Sequence, residues 1–207
     1  MKKTLRLLGM MALTVATFAI TFTSCKDEEE YEYQNTLAPF TYTFEDVANW
    51  EIAKSFVFHE FAEGENYLYA AGSKDPSLTF DQIYEMFDEG NFPENMLFFA
   101  IPARLGTNSY DGNFLLSEAY ESCVLFITGK TQSQFYGETI PTGWVSNRVH
   151  ASLSEFDLTA MKASVDISAN MVDIMSIMGE NDKDSSAEKT LTIRLNKATL
   201  SDFSSLE

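Results

Sequence analysis

The stretch "SVDISANMVDIMSIMGEN", Ser164 to Asn181, decides the fold, because it reads in two ways. Val165, Ile167, Ala169 and Met171 alternate with polar neighbours, the pattern of a strand with one buried face, whereas Met171, Ile174, Met175 and Met178 recur at helical spacing. We read one long strand with a bulge near Met171 and Val172, turning between Gly179 and Ser186 and returning through "TLTIRLNKATL". The methionines then serve as adaptable filler in a buried seam and not as cofactor ligands.

Working outward, the same signal recurs. The runs "FTYTF" (40–44), "KSFVFHEF" (54–61), "NYLYAA" (66–71), "NMLFFAI" (95–101), "NFLLS" (113–117) and "SCVLFITG" (122–129) are rich in β-branched and aromatic residues. So are "WVSNRVHASL" (144–153), "MKASVDIS" (161–168) and "KTLTIRL" (189–195), and turn formers such as "AEGEN" and "SYDGN" separate the runs. One helix interrupts them. In "SLTFDQIYEMFDEGNFP", Thr79 is the N-cap and Gln82 the third helical residue of a capping box, with Leu78 and Ile83 at the staple positions. Ile83, Met86 and Phe87 share a face, Asp81 suits the positive end, and Gly90 stops the helix, so we expect helix over 80–89. The expected architecture is mainly β: a single-domain antiparallel β-sandwich, possible as a jelly roll, with one accessory helix. "FEDVANW", Phe44 to Trp50, resembles the opening strand of jelly-roll carbohydrate-binding modules.

The N-terminus carries an address. "MKKTLR" supplies Lys2, Lys3 and Arg6, and Leu7 to Phe22 is free of charge, which is the layout of a secretory signal. Thr23, Ser24 and Cys25 follow, and this junction resembles the lipobox of bacterial lipoproteins. The resemblance implies a diacylglycerol on the Cys25 sulfur, cleavage before Cys25 and acylation of its amine. "KDEEE", Lys26, Asp27, Glu28, Glu29 and Glu30, is similar to the export tag of Bacteroides-type surface lipoproteins, which implies display on the outer face of the outer membrane. On the residues alone, these acids repel one another and form a solvated tether. The organisation expected is therefore a signal over 1–24, a lipidated tether over 25–39 and one domain over 40–207. Several acyl chains together anchor stably, each buried methylene adding roughly 0.8 kcal/mol.

Composition narrows the partners. The chain has 14 Lys and Arg against 31 Asp and Glu, a net charge of −17, and three of the basic residues belong to the leader. Such a chain repels phosphate backbones, so nucleic acid is not expected, and membrane contact should come through lipid and not through a basic patch. A hydrophobic fraction of 45% is ample for a packed core. With Cys25 lipidated, Cys123 has no partner; in "AYESCVLFITG" it reads as a buried small hydrophobe, and Glu121 nearby disfavours a reactive thiolate.

Few constellations carry chemistry. "HEFAE", His59 to Glu63, has Glu63 where a zinc protease needs its second histidine, and His59 and His150 are the only two in the chain. "GENDKDSSAEK" spaces Asp182, Asp184 and Ser186 as calcium loops do, but lacks the turn glycine and has Ile193 in place of the bidentate acid, so a hairpin turn is the better reading. No nucleophile elbow, glycine-rich phosphate loop or cofactor motif is present, and we expect no catalytic residue, metal or cofactor. A carboxylate pair of a hydrolase is left as an alternative, since its separation is spatial. The most suggestive segment is "SQFYGETIPTGWVSN", where Phe135, Tyr136 and Trp144 lie among turn formers. Rings on such backbone stack on sugars, or else Trp144 begins the next strand and packs inward. The reading is a surface lipoprotein that binds a ligand, with glycan or nutrient capture weighed against a structural or adhesive component that contacts a surface protein.

Overall fold

The alternation from Val165 to Met171 is realised as a strand, but the chain does not stay extended to Gly179. In a computed structural model that describes residues 40–47, 49–62, 64–89, 91–111, 121–133, 139–179 and 188–202, strand Lys162–Asp173 gives way to one helical turn, Ile174–Ile177. The cause is local. Asp173 accepts hydrogen bonds from the backbone N–H groups of Met175 and Ser176, an N-cap that a strand reading overlooks. The bulge lies close to where it was expected but on the partner strand: Ser146 pairs with Met171 and Arg148 with Asn170, leaving Asn147 as the extra residue.

In chain order the elements are β1 (Phe40–Phe44), β2 (Lys54–Ala62), β3 (Glu65–Ser73), α1 (Phe80–Glu89), β4 (Met96–Pro102), β5 (Gly106–Asp111) and β6 (Cys123–Gln132). They continue as β7 (Thr139–Asp157), β8 (Lys162–Asp173), α2 (Ile174–Ile177), β9 (Lys189–Thr199) and β10 (Ser201–Asp202). The described strands form a single sheet in the order β1-β9-β8-β7-β6-β4-β3-β2-β10, with β5 on β7. This corrects the two-sheet antiparallel sandwich: one mainly β, mixed sheet curls into a half-barrel. The expected strand over 113–117 and the turn over 180–187 lie outside the described residues.

Strand parity explains the one parallel pairing. Seven strands from β2 to β9 alternate in direction, so the first and last run the same way. Only Leu200 separates β9 from β10, and β10 pairs with β2 through Ser201 with Phe58 and Asp202 with His59. A one-residue link spans only a few ångströms, so it draws the two margins of the sheet together, and the joint must be parallel.

β7 is the spine. One edge pairs with β8 from Trp144 to Asp157; the other pairs with β6 through 139–145 and then with β5 through 148–153. β5 and β6 thus lie in line, as one strand interrupted between Asp111 and Cys123. Pro141 stands where β7 has β6 on one side and not yet β8 on the other, a place where a missing N–H is tolerated. Gly143 has φ 144°, and a Cβ there would lie 2.0 Å from the Phe126 carbonyl oxygen, so the β6–β7 approach requires glycine.

Two cores follow from the alternation. Leu97, Phe99, Phe126, Val149, Ile167 and Ile193 face into the curl and are all buried. Met96, Phe98, Leu125 and Ile127 face outward, where α1 covers them with Ile83 and Met86. The helix begins as its sequence predicts: Thr79 N–H donates to Gln82 Oε1 at 2.9 Å and Gln82 N–H to Thr79 Oγ1 at 3.3 Å, with Leu78 and Ile83 buried beside them. Cys123 is buried in this second core, and burial alone pushes its thiol pKa far up, as an inert small hydrophobe requires.

Candidate functional site

Among the described residues the outer face of β5, β9, β1, β8 up to Asn170 and β7 from Arg148 onward lies beyond α1 and α2, whose Ile174 packs with Val145 near the start of β7, and its outward residues stand in register. One row across the strands reads Ser109, His150, Ser168, Thr192, Thr43. The row beside it reads Thr107, Ser152, Asp166, Arg194, Thr41, and on the other side come Asp111, Arg148, Asn170, Thr190. Every member is exposed or half-buried, while the intervening Val149, Ala151, Val165, Ile167, Leu191 and Ile193 fill the curl. Short polar side chains at alternate positions cause this: each strand presents hydroxyl or amide groups outward and aliphatic ones inward.

The face is neutral although the chain is strongly acidic. Its two arginines are paired with its two aspartates, Arg148 Nε with Asp111 at 2.5 Å and Arg194 Nε with Asp166 at 2.7 Å. Both pairs are solvent-exposed, so they add little stability, but they cancel charge locally. Ser109 Oγ and His150 Nδ1 are 2.7 Å apart, and Thr107 Oγ1 donates to Ser152 Oγ at 3.4 Å. At the lower margin the Glu188 carboxylate accepts from the side-chain amides of Asn147 and Asn170. The three rows are thus a sheet surface of donors and acceptors whose formal charges cancel, with the Glu188 carboxylate at their margin.

The sequence-predicted residues are distributed otherwise. Cys25, Lys26, Asp27, Glu28, Glu29, Glu30, Phe135 and Tyr136 lie outside the described residues, as do Asp182, Asp184 and Ser186. Trp144 is on β7, not in a loop, and faces the inside of the curl. It is half-buried, edge-on to Phe44 at 5.5 Å between ring centroids, with the Lys189 ammonium 5.0 Å from its own centroid. Phe126 gathers Tyr42, Phe44 and Trp50 into the same cluster, Trp50 stacked on it at 5.7 Å. Trp144 is therefore a packed ring at the mouth of the half-barrel. His59 and His150 point to opposite faces, His59 inward and 9% exposed, His150 outward on the polar face.

Among the described carboxylates, Glu65 and Glu121 meet at one group, Arg104, which Glu65 contacts at 2.5 Å and Glu121 at 3.0 Å. Hydrogen bonding to Arg104 holds the Glu65 carboxyl below the usual range. A glycosidase acid requires the opposite displacement, so this pair suits an ion network and not proton donation. An open hollow lined by Asn91, Phe92, Lys130, Thr139, Ile140 and Pro141 sits beside the β6–β7 connection, where Lys130 Nζ donates to Asn91 Oδ1 at 2.7 Å.

The polar face was not singled out from sequence. Its signal was present in the alternating Ser and Thr of "FTYTF", "VDIS" and "TLTIR", but the register that assembles them is long-range. No known family model, curated protein or solved structure matches this chain.

Proposed function

We propose that this chain is a lipid-anchored binding module of the outer-membrane surface and that its outer face over β5, β7, β8, β9 and β1 holds a neutral glycan. The observation that carries the reading is the neutrality of a hydroxyl-rich face in a chain of net charge −17. Uncharged polyols exchange water hydrogen bonds for Ser, Thr, Asn and His contacts without meeting a repelling or competing charge. Individual contacts of this kind are modest, so affinity is micromolar to millimolar and grows with the number of sugar units engaged. Lipidation at Cys25 and the "KDEEE" tag place such a module where extracellular polysaccharide is met.

The test is an array of neutral polysaccharides followed by calorimetry on wild type and on Ser109→Ala/Ser168→Ala/Thr192→Ala. The expected result is binding that is insensitive to salt and weakened at least tenfold in the variant. A wild type that binds no neutral glycan, or a variant that binds as well, refutes the assignment. A second reading, adhesion to a protein by strand addition, is favoured by β5: among the described residues it pairs only with β7, leaving its other edge without a strand.

A further inference from the structure

Among the described residues three large apolar side chains stand exposed: Phe61 at 68%, Leu105 at 65% and Leu158 at 40%. They are far apart in sequence but share one end of the half-barrel. Each successive pairing from β2 to β7 is antiparallel, so β2, β4 and β7 run the same way and their C-terminal ends lie together. Phe61 is in the next-to-last pair of β2 before its hairpin turn, Leu105 follows β4, and Leu158 follows β7.

Contacts tie the three tips into one rim. Ala103 N–H donates to the Asn66 carbonyl at 2.7 Å, and Arg104 reaches Glu65, which joins the β4–β5 turn to the β2–β3 hairpin. Across the curl the rings of His59 and Phe156 meet edge-on at 6.3 Å, two residues before Phe61 and two before Leu158. The polar groups around the tips are already engaged. Arg104 is held by Glu65 and Glu121, Asp157 accepts from the backbone N–H of Thr159 and Ala160, and Lys162 donates to Thr199. Wetting the rim therefore gains few hydrogen bonds, and drying it leaves few groups unsatisfied.

We propose that this rim rests on the lipid bilayer, with Phe61, Leu105 and Leu158 entering its interfacial layer. The inference rests on the anchoring reading of Cys25. Three separate tips form no groove for a peptide, but three points define a plane, and a fluid lipid surface meets each independently. The chain's own path supplies the occupant. β1 runs antiparallel to β9, so Phe40 is its rim-ward end and residues 25–39 lead off from there toward the acylated cysteine. Phe40 is level with Leu195, nine strand residues below Phe61 by way of the β10–β2 pairing, or about 30 Å. Fifteen extended residues reach roughly 50 Å, enough to set the rim on the bilayer that holds the lipid. The polar sheet face then stands sideways to the membrane, open to solvent.

The test uses the acylated protein reconstituted in phosphatidylcholine vesicles with brominated acyl chains, comparing Phe61→Trp, Leu158→Trp and, on the polar face, Thr43→Trp. The rim tryptophans should be quenched at least twofold more than the Thr43→Trp control. Equal quenching at all three positions overturns the proposal. Vesicle sedimentation of the unacylated Cys25→Ala chain separates the rim from the anchor: weak binding should fall at least tenfold in Phe61→Ser/Leu105→Ser/Leu158→Ser. Binding by Cys25→Ala with no acylation of the wild type would sink the anchor reading and leave the rim. Rim-dependent dimerisation without vesicles would assign the surface to a second copy and refute the lipid assignment.

Discussion

Replacing Gly143 by alanine should be among the costliest single changes in this chain, and its cost has two separable parts. The added methyl would sit 2.0 Å from the Phe126 carbonyl oxygen and 3.0 Å from the Ile127 Cα, where ordinary contacts begin near 3.4 Å. Both obstacles are backbone of the paired strand, so no side-chain rotation relieves them. β6 and β7 must separate by more than an ångström, which is overpacking of about 1–3 kcal/mol with loss of ladder hydrogen bonds worth about 1 kcal/mol each. The φ of 144° adds strain of about 1–2 kcal/mol for any residue with a Cβ. Together these come to about 3–5 kcal/mol, a large part of the roughly 5–15 kcal/mol that holds a domain folded. Two controls apportion it. Gly64 has φ 88° with nothing within 4 Å, so Gly64→Ala reports strain alone at about 1 kcal/mol. Gly129 has ordinary φ and its nearest atom is Thr142 Oγ1 at 3.4 Å, so Gly129→Ala should stay within about 0.5 kcal/mol. Urea melts followed by tryptophan emission suit the measurement, since Trp50 stacks on Phe126 and Trp144 follows Gly143. At slopes of about 1–3 kcal/mol/M the Gly143→Ala midpoint should drop by more than about 1 M. A loss below about 1 kcal/mol, or one equal to that of Gly64→Ala, would refute the close-approach argument.

The capping box predicts that Thr79→Ala costs on the order of 1 kcal/mol in the same melts, because the Gln82 N–H loses its acceptor; an unshifted midpoint would mean that the cap is idle. Glu65 has a carboxyl pKa lowered in the folded state, so its contribution is present above the unfolded carboxylate value near 4.5 and lost as pH falls through the folded value. Glu65→Gln should flatten that part of the acid limb without changing stability's pH dependence above pH 6, and an unchanged limb would dismiss the Arg104 network as a stabiliser. Cys25→Ala should abolish incorporation of a fatty-acid analogue, and retained label would remove the lipoprotein reading. Alanine across Lys26 to Glu30 should leave the chain acylated but shielded from protease added to whole cells; equal digestion would reduce those acids to a tether.

Sequence disclosed what is local. The helix at 80–89, its cap and its staple are written within six residues, from Leu78 to Ile83, and eight of the nine strand runs named at the outset fall on described strands. β5 was missed because "GTNSYD" offers turn formers and only one buried side chain, Tyr110; it is a strand because β7 supplies an edge. The start of β7 was missed for the same reason, since Pro141 and Gly143 signal a loop until β6 is placed beside them. The curl was invisible because it depends on a count of strands and on a two-residue pairing between 58–59 and 201–202. The polar face shares that dependence, as each hydroxyl was visible but the row was not.

The interruption between β5 and β6 bears on how this chain can change over time. The ladder on β7 is left at Asp111 and resumed on the same edge at Leu125, two residues into β6, so both attachment points are held by pairings that do not refer to what lies between. Lengthening such an excursion is cheap, roughly 0.6 kcal/mol for each doubling. The pairings of β5 and β6 on β7 can therefore be inherited intact through a change in the length of chain that joins them. For a protein engineer, the two strand ends held by β7 mark a port for an inserted epitope.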